Sequence, residues 1–220
     1  SGDMTVAALL DLGADEQILR KALASLPVGG FEIAVTRKVK SGLDVCDFDV
    51  ILDAEHENHD HDMEYLHGHH HEHCHEHVHE DGSVHTHGHH HEHRGLHEIL
   101  HIIEHADMTE RAKKTAVRIF QILAEAESKA HGVPADQVHF HEVGAVDSIV
   151  DILAVAVCLD NLDITEVIVP FLCEGQGSIR CQHGIIPVPV PAVVNIAQAH
   201  GLTLKPTGVQ GELVTPTGAA

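Results

Sequence analysis

The sequence predicts an α/β fold, a mixed sheet with packed helices interrupted by a long disordered His-rich insert, with α+β as the alternative class. Three observations carry this reading. Apolar residues recur at helical spacing over 1–12 and 16–26, they alternate with polar residues over 31–52, and short extended runs alternate with helical runs after residue 96. A chain of 220 residues can bury a sizeable core. The organisation read from composition is a first part of the α/β domain over 1–55, a His-rich metal-binding insert over 56–94, and the remainder of the domain over 95–220.

Taken in order, Asp15 is placed to cap the second helix and Pro27 to end it. Phe31, Ile33, Val35 and Val39 then alternate with polar residues up to Ser41-Gly42, and Cys46, Phe48, Val50 and Leu52 alternate after it, which predicts a hairpin. Arg37, Lys38 and Lys40 form a basic cluster on it, read either as a solvated strand face or as a contact for an anionic substrate. Helices are predicted over 96–105 and 109–130, the second capped by Asp107 or Thr109 and closed by Gly132. A strand is predicted over 166–173, with Gly175-Gln176-Gly177 turning it back into 178–182; that turn could alternatively cradle phosphate. Pro187, Pro189 and Pro191 keep the next segment extended, Pro191 opens a helix closed by Gly201, and Thr215-Pro216 starts another.

Thirteen Lys and Arg stand against thirty-four Asp and Glu, a formal charge of −21 that argues against nucleic acid and for cations as partners. No apolar run is long enough for a bilayer, so no membrane association is expected. Five scattered cysteines without C-x-x-C spacing fit a reducing, cytoplasmic location.

Histidine is the anomaly: twenty of the twenty-five lie between His56 and His105. The first forty residues of that tract carry too little apolar surface to offset ordering entropy, so disorder is expected without metal. Repeated H-x-H spacing through His69, His71, His73, Cys74, His75, His77 and His79, and again through His87, His89 and His91, suits a labile reservoir for Ni²⁺ or a similar ion. H-E-x-x-H at His97 also matches a zincin pattern, but the pattern recurs at His71 and His75, which removes its specificity for a metalloprotease. His97 and His101, with His105, could still line one helix face as ligands.

The densest chemistry lies in QVHFHEVGAVDSIVD, from Gln137 to Asp151. His139 and His141 sit two apart on an extended run, a metal-ligand spacing, with Phe140 directed to the other face. After Gly144 an apolar helix is predicted over 146–162, whose one polar stripe carries Asp147, Asp151 and Cys158. Two like charges on a buried helix require a cation or donors nearby. The alternative is that Asp147 suits the helix N-terminus and Asp151 meets solvent.

Together, SGDM at residue 1, HFHEVGAVDSIVD from His139, HG at His183 followed by PVPVPA, GE at Gly211 and TPTGAA at Thr215 resemble the LarC family of nickel-insertion proteins. The resemblance implies insertion of nickel into pyridinium bisthiocarboxylic acid mononucleotide, a sulfur-bearing pyridinium nucleotide. It implies a CTP-dependent, lyase-type cyclometallation, using a divalent cation, that makes the nickel-pincer cofactor of lactate racemase. On this reading His139, His141, Glu142, Asp147 and Asp151 are candidate ligands or acid–base groups, and His183, Glu212 and Thr217 are weaker candidates for substrate binding. Family members carry a strand before SGDM and a second domain associated with CTP, so the sequence reads as an N-terminal part of a homo-oligomeric protein. The competing reading is a nickel storage protein or metallochaperone without catalysis of its own.

Overall fold

Local signals at Asp15 and at Ser41-Gly42 set the first elements of the chain. The computed structural model describes residues 2–53, 77–78, 84–85, 94–140, 144–181 and 184–220, with backbone alone at His77, Val78, Val84, His85 and His139. Helix α1 (Gly2–Asp11) is followed by α2 (Glu16–Ala24), where Asp15 Oδ1 accepts from the N–H groups of Gln17 at 2.8 Å and Ile18 at 3.3 Å. Strands β1 (Phe31–Lys40) and β2 (Leu43–Leu52) pair antiparallel from Phe31↔Leu52 to Lys40↔Leu43. The two-residue loop has Ser41 at φ 53° and Gly42 at φ 80°, the paired positive angles of a tight hairpin turn.

Within the insert, β3 (His77–Val78) and β4 (Val84–His85) pair antiparallel, His77 opposite His85. The described chain resumes at β5 (Arg94–Gly95), then α3 (Leu96–His105) and the long α4 (Glu110–His131). Thr109, rather than Asp107, caps α4, its hydroxyl accepting from the N–H of Ala112, and Gly132 closes the helix in the left-handed conformation. A single 3-10 turn (Ala135–Gln137) leads into β6 (His139–Phe140), which pairs antiparallel with β5.

Helix α5 (Val146–Asn161) is the centre of the core. Its apolar residues recur on all sides but one, so it can be covered by several helices at once. It packs against α1, α2 and α4, and Ile149, Val150, Leu153, Ala154 and Ala156 are fully buried together with Leu19, Ile99, Phe120 and Leu123. Cys158 is buried on it, and burial pushes its thiol up to about 11, so it stays protonated at neutral pH and is a packing residue.

The C-terminal part holds β7 (Leu172–Gln176), β8 (Ser178–Cys181), β9 (Gly184–Pro187), α6 (Pro191–His200), β10 (Leu204–Gln210) and the short α7 (Pro216–Ala219). Two expectations are corrected here. The strand expected over 166–173 begins only at Leu172, and Val167 and Ile168 before it are exposed on irregular backbone that includes Pro170, which has no N–H to donate. No hairpin forms across Gly175-Gln176-Gly177: β7 pairs in parallel with β10, and β8 pairs with β9. Gly175 and Gln176 continue the strand, and the chain turns only at Gly177, φ 94°. A second, smaller apolar cluster of Val190, Val193 and Val214 lies between α6 and the loop before α7. Helices alternating with small parallel and antiparallel sheets are consistent with the α/β class.

Candidate functional site

The site is built outward from the β5–β6 pair. Arg94 stands opposite Phe140, and Phe140 turns into the core, 2% exposed, its ring edge-on to Phe120 at 6.3 Å between centroids. Gly144 packs against this pair: a Cβ there would fall 2.6 Å from the Phe140 carbonyl oxygen and 3.2 Å from that of Arg94, so only glycine fits. Arg94 Nη1 donates to the Gly144 carbonyl oxygen at 3.3 Å, tying the start of α3 to the start of α5.

Asp147 lies in the first turn of α5, near its positive end, and Asp151 one turn later on the same stripe. Both are partly buried, and Oδ1 of each is buried without a hydrogen-bond partner among the described residues. Asp151 faces the start of α1. The main chain at Gly2 approaches so closely that a Cβ would come within 2.4 Å of Asp151 Oδ2, and the Asp3 N–H donates to the Asp151 carboxylate. Burial, then the charges of Asp3 and Asp147, pushes the Asp151 carboxyl up to about 7. The stripe thus gathers Asp147 and Asp151 beside Asp3, and like charges at this spacing favour a cation. Among the described residues no three His, Cys, Asp or Glu side chains converge closely enough to hold a metal by themselves.

His97 and His101 stand one turn apart on α3 and line an open cleft of about 510 Å³ with Gly29, Gly30, Arg94 and Glu98. Asp147 and Asp151 do not line it; the Arg94–Gly144 hydrogen bond links the cleft wall to the start of α5. Glu98 Oε2 accepts from the Gly95 N–H at 2.8 Å, so the carboxylate of the apparent H-E-x-x-H motif caps α3.

Glu212 lies half-buried in the loop between β10 and α7, and Thr217 in the first turn of α7. His69, His71, His73, Cys74, His75, His79, His87, His89, His91, His141, Glu142 and His183 lie outside the described residues, as does the expected disorder of most of the insert; His77 and His139 are described by backbone alone. The basic cluster proves to be largely a paired strand face: Arg37 binds Asp11 and Asp44, and Lys38 binds Asp47.

Sequence reasoning missed four residues. Gly2 and Asp3 belong to the SGDM motif, but only the packing of α1 on α5 brings them to Asp151. Arg94 falls at the end of the histidine tract and looks like part of it. Glu174 is the fourth: it is 1% exposed, Oε1 accepts from the N–H groups of Gly175, Leu213 and Val214 at 2.7, 2.9 and 3.2 Å, and Oε2 is buried without a partner. It fastens the loop that carries Glu212. A Cβ on Gly175 would fall 1.8 Å from the Gly211 carbonyl oxygen, so the Gly175-Gln176-Gly177 segment receives a protein oxygen and a carboxylate where a phosphate cradle would need free N–H groups.

All residues, 1–220, match the family described as nickel insertion protein. The chain belongs to this family. Among curated relatives, the pyridinium-3,5-bisthiocarboxylic acid mononucleotide nickel insertion protein of Alkaliphilus metalliredigens is 52% identical over 224 residues, covering 100% of this chain and 48% of the relative. The proteins of the same name from Clostridium acetobutylicum and Acetivibrio thermocellus are 44% and 40% identical, covering 100% and 99% of this chain and 52% and 47% of their own lengths. The chain spans about half the length of these relatives of the nickel insertion family. No solved structure matches it significantly.

Proposed function

We propose that this chain is the metal-handling part of an enzyme that inserts Ni²⁺ into pyridinium-3,5-bisthiocarboxylic acid mononucleotide, forming the nickel-pincer cofactor used by lactate racemase. The observation that supports it most is the pair of buried carboxylate oxygens of Asp147 and Asp151 without a hydrogen-bond partner among the described residues, in a member of the nickel insertion family. Replacing a ring C–H by a carbon–nickel bond releases a proton, and the two sulfur ligands must be anionic. A carboxyl held near neutrality suits acceptance of that proton, which is the role given to Asp151. Asp147, with His139, His141 and Glu142, is assigned to nickel. The histidine tract from His69 to His91, with His97 and His101, supplies the ion, and His183, Glu212 and Thr217 are assigned to the nucleotide. CTP and its divalent cation are assigned to the second domain implied by the resemblance, since the glycine segment at Gly175 does not fit a nucleotide phosphate.

The same reading places the protein in the cytoplasm as a homo-oligomer, to be checked by fractionation and light scattering. No described helix is long and apolar enough to cross a membrane.

Asp147→Asn keeps the shape and removes the charge. In an assay of the full-length protein with nucleotide, Ni²⁺ and CTP, the expected result is a loss of turnover of about a hundredfold or more with unfolding temperature kept within a few degrees. Near-normal turnover in both Asp147→Asn and His141→Ala would refute the site. Nickel binding without any nickel–carbon bond formation by the unaltered protein would favour a storage protein or metallochaperone instead.

A further inference from the structure

The run from Thr165 to Phe171, between α5 and β7, has the sequence of a strand without its structure. Val167, Ile168 and Val169 are β-branched and suit a pleated sheet, yet they stand 67, 79 and 48% exposed, and Phe171 after them is 46% exposed. Every residue from 165 to 171 is exposed. Apolar side chains scattered singly on a surface are ordinary, whereas three adjacent ones followed by an aromatic make a patch of the kind that marks a contact. The backbone agrees. Among the described residues no backbone hydrogen bond engages 165–170, and pairing with β10 begins only at Leu172. The run leads directly into β7, one half of a two-stranded parallel sheet, and parallel sheets are ordinarily covered on both faces.

Composition and length narrow what covers it. Between 56 and 93 the large apolar residues are Met63, Tyr65, Leu66, Val78 and Val84, dispersed among histidines and acids, so the insert has no apolar strand to match Val167, Ile168 and Val169. The relatives are about twice as long as this chain, which covers 48% of the Alkaliphilus metalliredigens protein. A segment of the same polypeptide meets the run at an effective concentration of about a millimolar, which a second copy in dilute solution does not reach. We propose that a β-strand from the part of the full-length protein outside residues 1–220 pairs with 166–169 and covers Val167, Ile168 and Val169. Pro170, which has no N–H, limits the new ladder to the residues before it. The contact joins the rest of the polypeptide to the segment between the central helix α5 and the β7–β10 sheet, independently of any metal chemistry.

The test uses the full-length protein. Hydrogen exchange resolved to single amides is expected to show one alternating set, Val167 with Val169 or Glu166 with Ile168, exchanging about a hundredfold or more slowly than an unstructured chain. A strand paired on one edge engages every second N–H. Ile168→p-benzoylphenylalanine then identifies the partner: irradiation should give an adduct that migrates as a single chain on a denaturing gel, its second peptide lying outside residues 1–220. Ile168→Lys should lower the unfolding temperature by about 5 °C or more, since a lysine is harmless on a free surface and costly under a strand. Uniformly fast exchange over 166–169 in the unaltered protein overturns the proposal, as does an unshifted unfolding temperature in Ile168→Lys. So does an irradiated sample with no adduct, or with a second peptide from within 1–220. An adduct of two chains' mass overturns it in favour of a contact between copies.

Discussion

Asp151 combines a structural cost with a chemical use. Its carboxyl ionises at about 7 in the folded chain against an ordinary value of 3.8, so between those pH values the unfolded chain has released a proton that the folded chain still holds. Folding stability contributed by this group is intact below about 4, falls as pH rises toward 7, and stays low above it. Asp151→Asn removes the penalty: in metal-free protein it is expected to raise the unfolding temperature at pH 8 by several degrees and to change it little at pH 4. Thermal unfolding at the two pH values checks this, and an equal shift at both would show that burial of the charge is not the cause. The same substitution should lower nickel insertion. This opposition of stability and activity is expected of a group kept for its chemistry.

At the scale of elements, the C-terminal part depends on one side chain. Glu174 joins the end of β7 to the loop between β10 and α7 by gathering three N–H groups on one oxygen. Glu174→Ala leaves those donors in a buried setting without an acceptor and is expected to cost roughly 3 kcal/mol or more. Glu174→Gln keeps an amide oxygen for them and should cost less than half as much. Chemical denaturation of both variants checks the order, and equal losses would show that the carboxylate's charge, not its acceptor oxygen alone, matters. The adjoining Gly175 and Gly211 cross so closely that the parallel β7–β10 pairing requires glycine at position 175.

For the whole molecule, the proposed reading gives the histidine tract the role of metal reservoir and the Asp147–Asp151 stripe that of site. The histidine tract is rich in imidazole, and imidazole must be neutral to bind metal, so nickel loading is expected to be several ions at pH 7.5 and close to none at pH 5. Deleting 56–93 should leave turnover at saturating nickel intact and raise the nickel needed for half-maximal rate. Calorimetry at both pH values and a nickel titration of the deletion variant check the two halves of this prediction. Abolished turnover in a folded deletion variant would place essential ligands in the tract. The excess negative charge of the chain acts in the same direction, concentrating cations near a protein that has few of its own.

The sequence alone determined the elements whose signals are local. Asp15 and Thr109 cap helices, Gly132 and Gly201 end them, Ser41-Gly42 turns a hairpin, and the all-round apolar character of 146–162 announces a central helix. These signals act between residues a few positions apart, where backbone geometry leaves few choices. The motif order that places the chain among nickel insertion proteins was legible too, as was the suspicion falling on Asp147 and Asp151. What only the tertiary structure decided are contacts between distant residues: Asp3 against Asp151, Arg94 against Gly144, Glu174 against Leu213 and Val214, and β10, rather than β8, beside β7. No period or cap encodes these pairings, because they arise from how apolar faces of separate elements cover one another, and the close approaches at Gly2, Gly144 and Gly175 appear only after that packing is complete.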